Sequence, residues 1–296
     1  MADAILVLGR SGQVARELAK LGPPPGFGLA FAGRERLDLL SGADPSPLLD
    51  EVRPAVVINA AAYTAVDRAE SEPDLAYRLN RDAPAALAAA CAGRGIGFVH
   101  FSTDYVFDGR KAEPYLEDDP RAPQGVYGAS KAAGEEAVEA AGGRHAILRT
   151  AWVYSASGAN FVKTMLRLAQ MREEVAVVDD QRGNPTWAED CARGALLAAE
   201  RLVAGDAKAE GVFHLAGEGE ATWADFAEAV FEESARRGGK QPRVRPISTL
   251  EYPTPARRPA NSRLDCGKLV RHFGWRPRPW REALAACFDE LETQAA

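Results

Sequence analysis

Tyr127 and Lys131 stand four residues apart in Tyr127-Gly128-Ala129-Ser130-Lys131, inside an Ala-rich stretch of helical character. That spacing puts both side chains on one helix face. A phenol titrates near ~10 in isolation, and an adjacent ammonium favours its ionised form and lowers that value. The pair therefore suits proton delivery to a carbonyl oxygen as a hydride arrives, with Lys131 holding the phenol poised. Thr103, in Ser102–Gly109 (STDYVFDG) after an apolar run, is placed to give the same oxygen a second hydrogen bond. Alone, a Tyr-x-x-x-Lys pair equally describes an exposed tyrosine beside a solvated lysine. It gains weight from the motifs that precede it.

The earliest of these is Gly9-Arg10-Ser11-Gly12-Gln13-Val14-Ala15. It follows the first apolar run and opens a helical stretch. Gly9 and Gly12 permit a tight turn and close approach of backbone to a pyrophosphate, which the helix N-terminus then attracts. The second run ends Ala32-Gly33-Arg34-Glu35-Arg36, where an acid would favour NADH. Arg34 instead suits a 2′-phosphate, so the reading leans to NADPH, with NADH tolerated; the bland alternative is a solvated loop charge. Asp38, with Leu39 after it, either meets an adenine edge or caps the next helix. The third run ends Asn59-Ala60-Ala61-Ala62-Tyr63-Thr64, whose small side chains leave room for a flat ligand.

These motifs need a frame. Apolar runs at Ala4–Leu8, Leu29–Ala32, Ala55–Asn59, Phe98–Phe101 and Ala146–Arg149 read as strands buried on both faces. Helical stretches such as Gln13–Leu21 and Pro84–Ala92 lie between them. The alternation predicts βαβ units: an α/β fold with a Rossmann-type doubly wound parallel sheet and a smaller C-terminal substrate-binding domain. The division is placed after Trp152, giving residues 1–152 and 153–296, with later segments returning to the first sheet. Val175–Val178 and Val212–Leu215 read as strands. Ala188–Val203, Trp223–Arg236 and Arg281–Leu291 read as helices, and the proline-dense Gln241–Pro259 as loop.

Composition fits a folded protein, with 46% hydrophobic and 26% charged residues. Lys+Arg 36 against Asp+Glu 42 gives a net charge of −6, which argues against nucleic-acid or anionic-membrane partners. Cys91, Cys191, Cys266 and Cys287 are scattered and read as free thiols. His100, His145, His214 and His272 are far apart; the two in strand-like runs, His100 and His214, read as core or edge residues rather than ligands. The opening residues lack the pattern of a signal peptide, and no apolar stretch is long enough to span a bilayer. A cytoplasmic protein is expected.

Taken in order, Gly9–Ala15, Asn59–Pro73, Ser102–Gly109, Tyr127–Lys131, Arg149–Tyr154, Asn160–Leu168, Asp180–Asp190 and Arg258–Asp265 resemble the extended short-chain dehydrogenase/reductase superfamily. More narrowly they resemble the dTDP-4-dehydrorhamnose reductase family, nearly end to end. The resemblance implies NADPH-dependent reduction of a dTDP-4-keto-sugar. It implies that Gly12, Gln13 and Val14 line the pyrophosphate, Asp38 and Leu39 meet the adenine end, and Ala62, Tyr63 and Thr64 the ribose–phosphate region. Tyr127 is then the proton donor, with Lys131 also on the nicotinamide ribose. Thr103, Asp104 and Trp152 face the keto-sugar, and Asn160 with the Arg258–Arg263 stretch the nucleoside diphosphate. It further suggests a homodimer and a Mg²⁺ ion held by Glu17, Glu189 and Glu290 or Glu292, read otherwise as exposed surface charges. Ala15 stands where many members have Gly, and Arg34 where some carry an acid. Two rival readings are a related sugar-nucleotide 4-ketoreductase or epimerase, and a non-catalytic regulatory subunit of the same fold.

Overall fold

The computed structural model describes residues 3–295. In chain order its main elements are β1 (Asp3–Leu8), α1 (Gln13–Leu21), β2 (Phe27–Ala32), β3 (Val56–Asn59), α2 (Ala83–Ala92), β4 (Gly97–Thr103), α3 (Val126–Ala140) and β5 (His145–Thr150). There follow α4 (Phe161–Met171), β6 (Glu174–Val178), α5 (Ala188–Val203), β7 (Gly211–His214), α6 (Trp223–Arg236), β8 (Arg243–Ile247) and α7 (Trp280–Ala295).

The apolar runs become strands because each strand must bury both its faces. Ile5 and Val7 of β1 enter one core while Leu6 and Leu8 enter another. Val56 and Ile58 of β3 oppose Val57 in the same way, as Ala146 and Leu148 of β5 oppose Ile147. Six strands form one parallel sheet in the order β7-β5-β4-β3-β1-β2. Helices α1 and α5 cover one face; α2, α3 and Ser46–Val52 cover the other.

The strand order changes direction between β1 and β3, and Leu8 lies in register with both Ala32 and Asn59. The carboxyl ends of β1, β2 and β3 thus finish level, at the point where such sheets open a crevice. Strand β7 completes the edge beside β5 after 60 residues of intervening chain, among them α5 on the face of the same sheet.

A further core joins Tyr154, Val162, Met165 and Val177 to Phe226, Phe231, Trp280 and Phe288. One expectation fails here. The proline-dense segment contains β8, which pairs in parallel with β6 in a two-stranded sheet. Pro246 is tolerated because an edge strand leaves one row of N–H groups unneeded. Among the described residues no helix is long and apolar enough to cross a membrane.

Candidate active site

Gly9 leaves β1 with φ +105, a conformation that costs glycine little. Gly12 then stands as the N-cap of α1 with no side-chain cap, so the first N–H groups of that helix face outward. A cavity of about 460 Å³ opens here, with Gly9, Gly12, Arg34, Asp38, Leu39 and Ala62 in its wall. Arg34 and Glu35 are exposed on its rim. Arg10, which sequence reasoning passed over, also lines it and donates to Glu35 at 3.2 Å. Asp38 does not cap a helix; its carboxylate accepts from the Leu40 N–H at 3.1 Å and shapes the turn.

Four residues expected at the cofactor do not line this cavity. Val14 packs on the core. Gln13 accepts from Asn160 Nδ2 at 3.0 Å. Tyr63 donates its hydroxyl to Glu72 at 2.5 Å, and Thr64 is exposed beyond it. Asn80, in a π-helical turn at Arg78–Asp82 that no local pattern announced, fastens this segment. Its carbonyl accepts from Tyr63 N–H at 2.9 Å, and its amide donates to the Tyr63 carbonyl and the Ser130 hydroxyl, both at 3.0 Å. Such turns often mark functional sites.

The reactive residues meet at the end of β4. Thr103 caps a 3₁₀ turn, accepting from Tyr105 N–H at 3.2 Å and donating to Asp104 at 2.8 Å. Tyr105 sets its ring edge-to-face on Tyr127, with centroids 5.7 Å apart. Helix α3 comes this close because Gly128 has no side chain: a Cβ there would lie 2.2 Å from the Tyr105 carbonyl oxygen. Lys131 is buried and donates to the Phe101 carbonyl at 2.5 Å.

The electrostatics differ from expectation. Burial pushes the Tyr127 phenol up, Asp104 and Tyr105 add to that, and only the neighbouring Thr103 hydroxyl opposes it. Burial brings the Lys131 amine down to about 8, with Glu135 opposing. In this dry site desolvation outweighs the attraction assumed from spacing alone. Asp104 is buried and pushed up to about 6, chiefly by desolvation. Its Oδ2 has no partner within the described residues, nor has the Ser102 hydroxyl.

On the sugar side, Trp152 adopts φ 47, a strained value for a non-glycine residue. Its ring stacks on Trp223 at 3.5 Å and lies over Gly183. Arg258 donates to the Tyr105 hydroxyl at 3.1 Å and to Asp67 at 2.8 Å, tying the C-terminal segment across the reactive turn. Asn160 and Arg263 are already engaged. Asn160 caps α4 and bonds Ser155 as well as Gln13. Arg263 serves Asn261, Glu220 and the Ala112 carbonyl. Both support loops here rather than present free donors.

A family model described as "RmlD substrate binding domain" matches residues 3–293. A dTDP-4-dehydrorhamnose reductase of Sinorhizobium fredii is 48% identical over 280 residues, 94% of each chain. The chain belongs to the dTDP-4-dehydrorhamnose reductase family. Among solved structures, a dTDP-4-dehydrorhamnose reductase of Clostridium acetobutylicum superposes with a TM-score of 0.91 at 38% identity, covering 98% of this chain and 99% of that one. The reductase of Bacillus anthracis, solved in complex with NADP, gives 0.89 at 35% identity, covering 98% and 100%.

For a chain of this reductase family the three glutamates bear on the expected metal. Glu17, Glu189 and Glu290 do converge, their carboxylate oxygens lying within 4.8 Å of one another. Glu292 instead pairs with Arg237. The first two are buried rather than exposed. An ammonium already sits among the three: Lys20 Nζ lies 2.6 Å from Glu17, 3.1 Å from Glu189 and 2.7 Å from Glu290. Arg193 and Arg278 also pair with Glu189. Burial raises the Glu17 carboxyl against the pull of Lys20, and Lys20 is driven far above its usual range by the three carboxylates despite its own desolvation. With the charge met from within the chain, the cluster does not fit Mg²⁺.

Proposed function

We propose that the protein reduces the C4 ketone of dTDP-4-dehydro-β-L-rhamnose to dTDP-β-L-rhamnose with NADPH. The observation that carries this is the convergence of Thr103, Tyr127 and Lys131 at the end of β4, in a chain whose relatives are named for that reaction. The dinucleotide supplies a hydride to C4 when bound. Gly9, Gly12 and the open end of α1 receive its pyrophosphate, and Arg34 with Arg10 faces the 2′-phosphate. Tyr127 delivers the proton to O4. A phenol held protonated by burial is in the form that a reduction consumes. Thr103 hydrogen-bonds the same oxygen once its proton turns from Asp104 to it, and Lys131 holds the ribose. Asp104 and Trp152 bound the sugar, and Arg258 faces the diphosphate from its place over Tyr105.

In this reading residues 1–152 mainly bind the cofactor and 153–296 mainly the substrate, and the enzyme is a homodimer, which light scattering reads directly. The deciding experiment follows NADPH oxidation with dTDP-4-dehydro-β-L-rhamnose and identifies the product by NMR. Stoichiometric dTDP-β-L-rhamnose is expected. Tight NAD retained through a cycle without net oxidation would point to an epimerase, and cofactor binding without turnover on any keto-sugar to a regulatory subunit. Faster turnover with NADH at equal concentration would remove Arg34 from its role.

A further inference from the structure

His100 lies in the middle of β4, fully buried, and no step above uses it. Its two ring nitrogens have different neighbours. Nδ1 faces Asn59 Nδ2 at 3.1 Å, and Nε2 faces Lys131 Nζ at 3.4 Å. The Asn59 amide cannot turn round without loss, because its oxygen accepts from the Ala61 N–H at 3.2 Å. Asn59 therefore presents its NH₂ to His100. A ring nitrogen that faces a donor must carry a lone pair, so the one proton of a neutral imidazole sits on Nε2. Burial without a carboxylate partner keeps the ring neutral.

The consequence falls on Lys131. Its nitrogen already donates to the Phe101 carbonyl. The His100 Nε2–H beside it is a second donor, which only the lone pair of a free amine can accept. An ammonium there would set N–H against N–H. The chain of contacts runs Ala61 N–H to Asn59, Asn59 to His100, and His100 to Lys131, from the third strand end to the reactive helix.

We propose that His100 is a positioning residue that, with its tautomer fixed by Asn59, orients the Lys131 amine and favours its uncharged form. The inference deepens the reductase reading and rests on it for its catalytic meaning. A free amine takes up a proton from solvent to become the ammonium, which then passes a proton through the ribose hydroxyl to the Tyr127 phenolate and returns to the free amine after each reduction. The charged groups around the amine act from other directions. Glu135 lies one turn along α3 and favours the ammonium, but its carboxylate is shared with Arg149 of β5 at 2.7 Å and Arg121 at 2.8 Å. Tyr127 lies one turn back on the same face.

The test begins with the unaltered full chain, labelled with ¹⁵N at histidine, His100 being assigned with His100→Gln. Long-range ¹H–¹⁵N spectra should show a protonated Nε2 and a bare Nδ1 between about pH 6 and about pH 9. A protonated Nδ1 overturns the proposal. In a second arm, Asn59→Asp offers Nδ1 an acceptor and should move the proton there. Nε2 then accepts from the ammonium, and the limb of the kcat–pH profile assigned to Lys131 should move alkaline by about one unit. His100→Gln should lower kcat by about 10- to 100-fold with little change in KM for NADPH, the scale of a lost supporting hydrogen bond. A uniform loss of rate with an unmoved pH profile would leave His100 merely structural and overturn the proposal. The spectra need no turnover. Should the keto-sugar not react while the tautomer stands as drawn, the reductase reading fails and the relay survives.

Discussion

Tyr127→Phe should cut turnover by roughly 10²- to 10⁴-fold, because the variant keeps the ring on Tyr105 but has no proton to give. Binding of NADPH, followed by fluorescence, should stay near the unaltered value; equal activity would remove Tyr127 from its role. Asp104 gives a pH prediction of definite sign. Its carboxyl is raised by burial to about 6, so the folded chain binds a proton that the unfolded chain releases near ~3.9. That contribution is fully present below the unfolded value and is lost as pH rises through about 6. Asp104→Asn should accordingly gain on the order of 2–3 kcal/mol at pH 7 and nothing below about pH 4, read by urea unfolding. The gain should come with a lower kcat/KM, since strained or unsatisfied groups gather where function needs them. At this scale the chain was legible where chemistry needs a residue type at a fixed spacing, as at Thr103, Tyr127 and Lys131. It was not legible where burial decides. The sign of the Tyr127 shift, the engagement of Asn160 and Arg263, and the importance of Asn59, Asn80 and His100 all depend on neighbours brought from distant segments.

Helix α3 and the turn after β4 form a single fitted joint. Gly128→Ala should destabilise by about 1–3 kcal/mol, since the new methyl meets a backbone oxygen that has nowhere to move. Activity should fall further than stability does, because Tyr127 is the adjacent residue; thermal melts and initial rates on one preparation separate the two. A variant with full activity would show that α3 can retreat without misplacing the phenol. Elements with clear periodicity were readable to their ends, as with Gln13–Leu21 and Ala188–Val203. The strand β8 was not, because Pro246 and its neighbours look like loop until a partner strand is known. The π-helical turn at Arg78–Asp82 was equally hidden, its extra residue being set by the fastening of Asn80 rather than by composition.

Across the whole molecule, Lys20 joins three helices by its ammonium alone: its own α1, α5 through Glu189 and α7 through Glu290. Lys20→Met should cost on the order of 1–2 kcal/mol at pH 7, less than a fully buried pair would, since the lysine side chain is 40% exposed. The deficit should shrink as pH falls and the carboxylates take up protons, Glu17 first because burial has raised it. Neither EDTA nor added Mg²⁺ should move the Tm of the unaltered protein, and a Mg²⁺-dependent rise would contradict the fit of the ammonium. The family resemblance suggested a metal because these acids were expected to gather; they do, and the cation that answers them is Lys20, three residues from Glu17 on the same helix. Strand β7 carries a different consequence. On the ribosome, the first five strands emerge with the flank of His145–Thr150 bare, and its partner arrives only when residues 211–214 leave the exit tunnel. A nascent chain halted in that interval offers an unpaired ladder to any neighbour, so translation speed through the intervening codons becomes a determinant of yield.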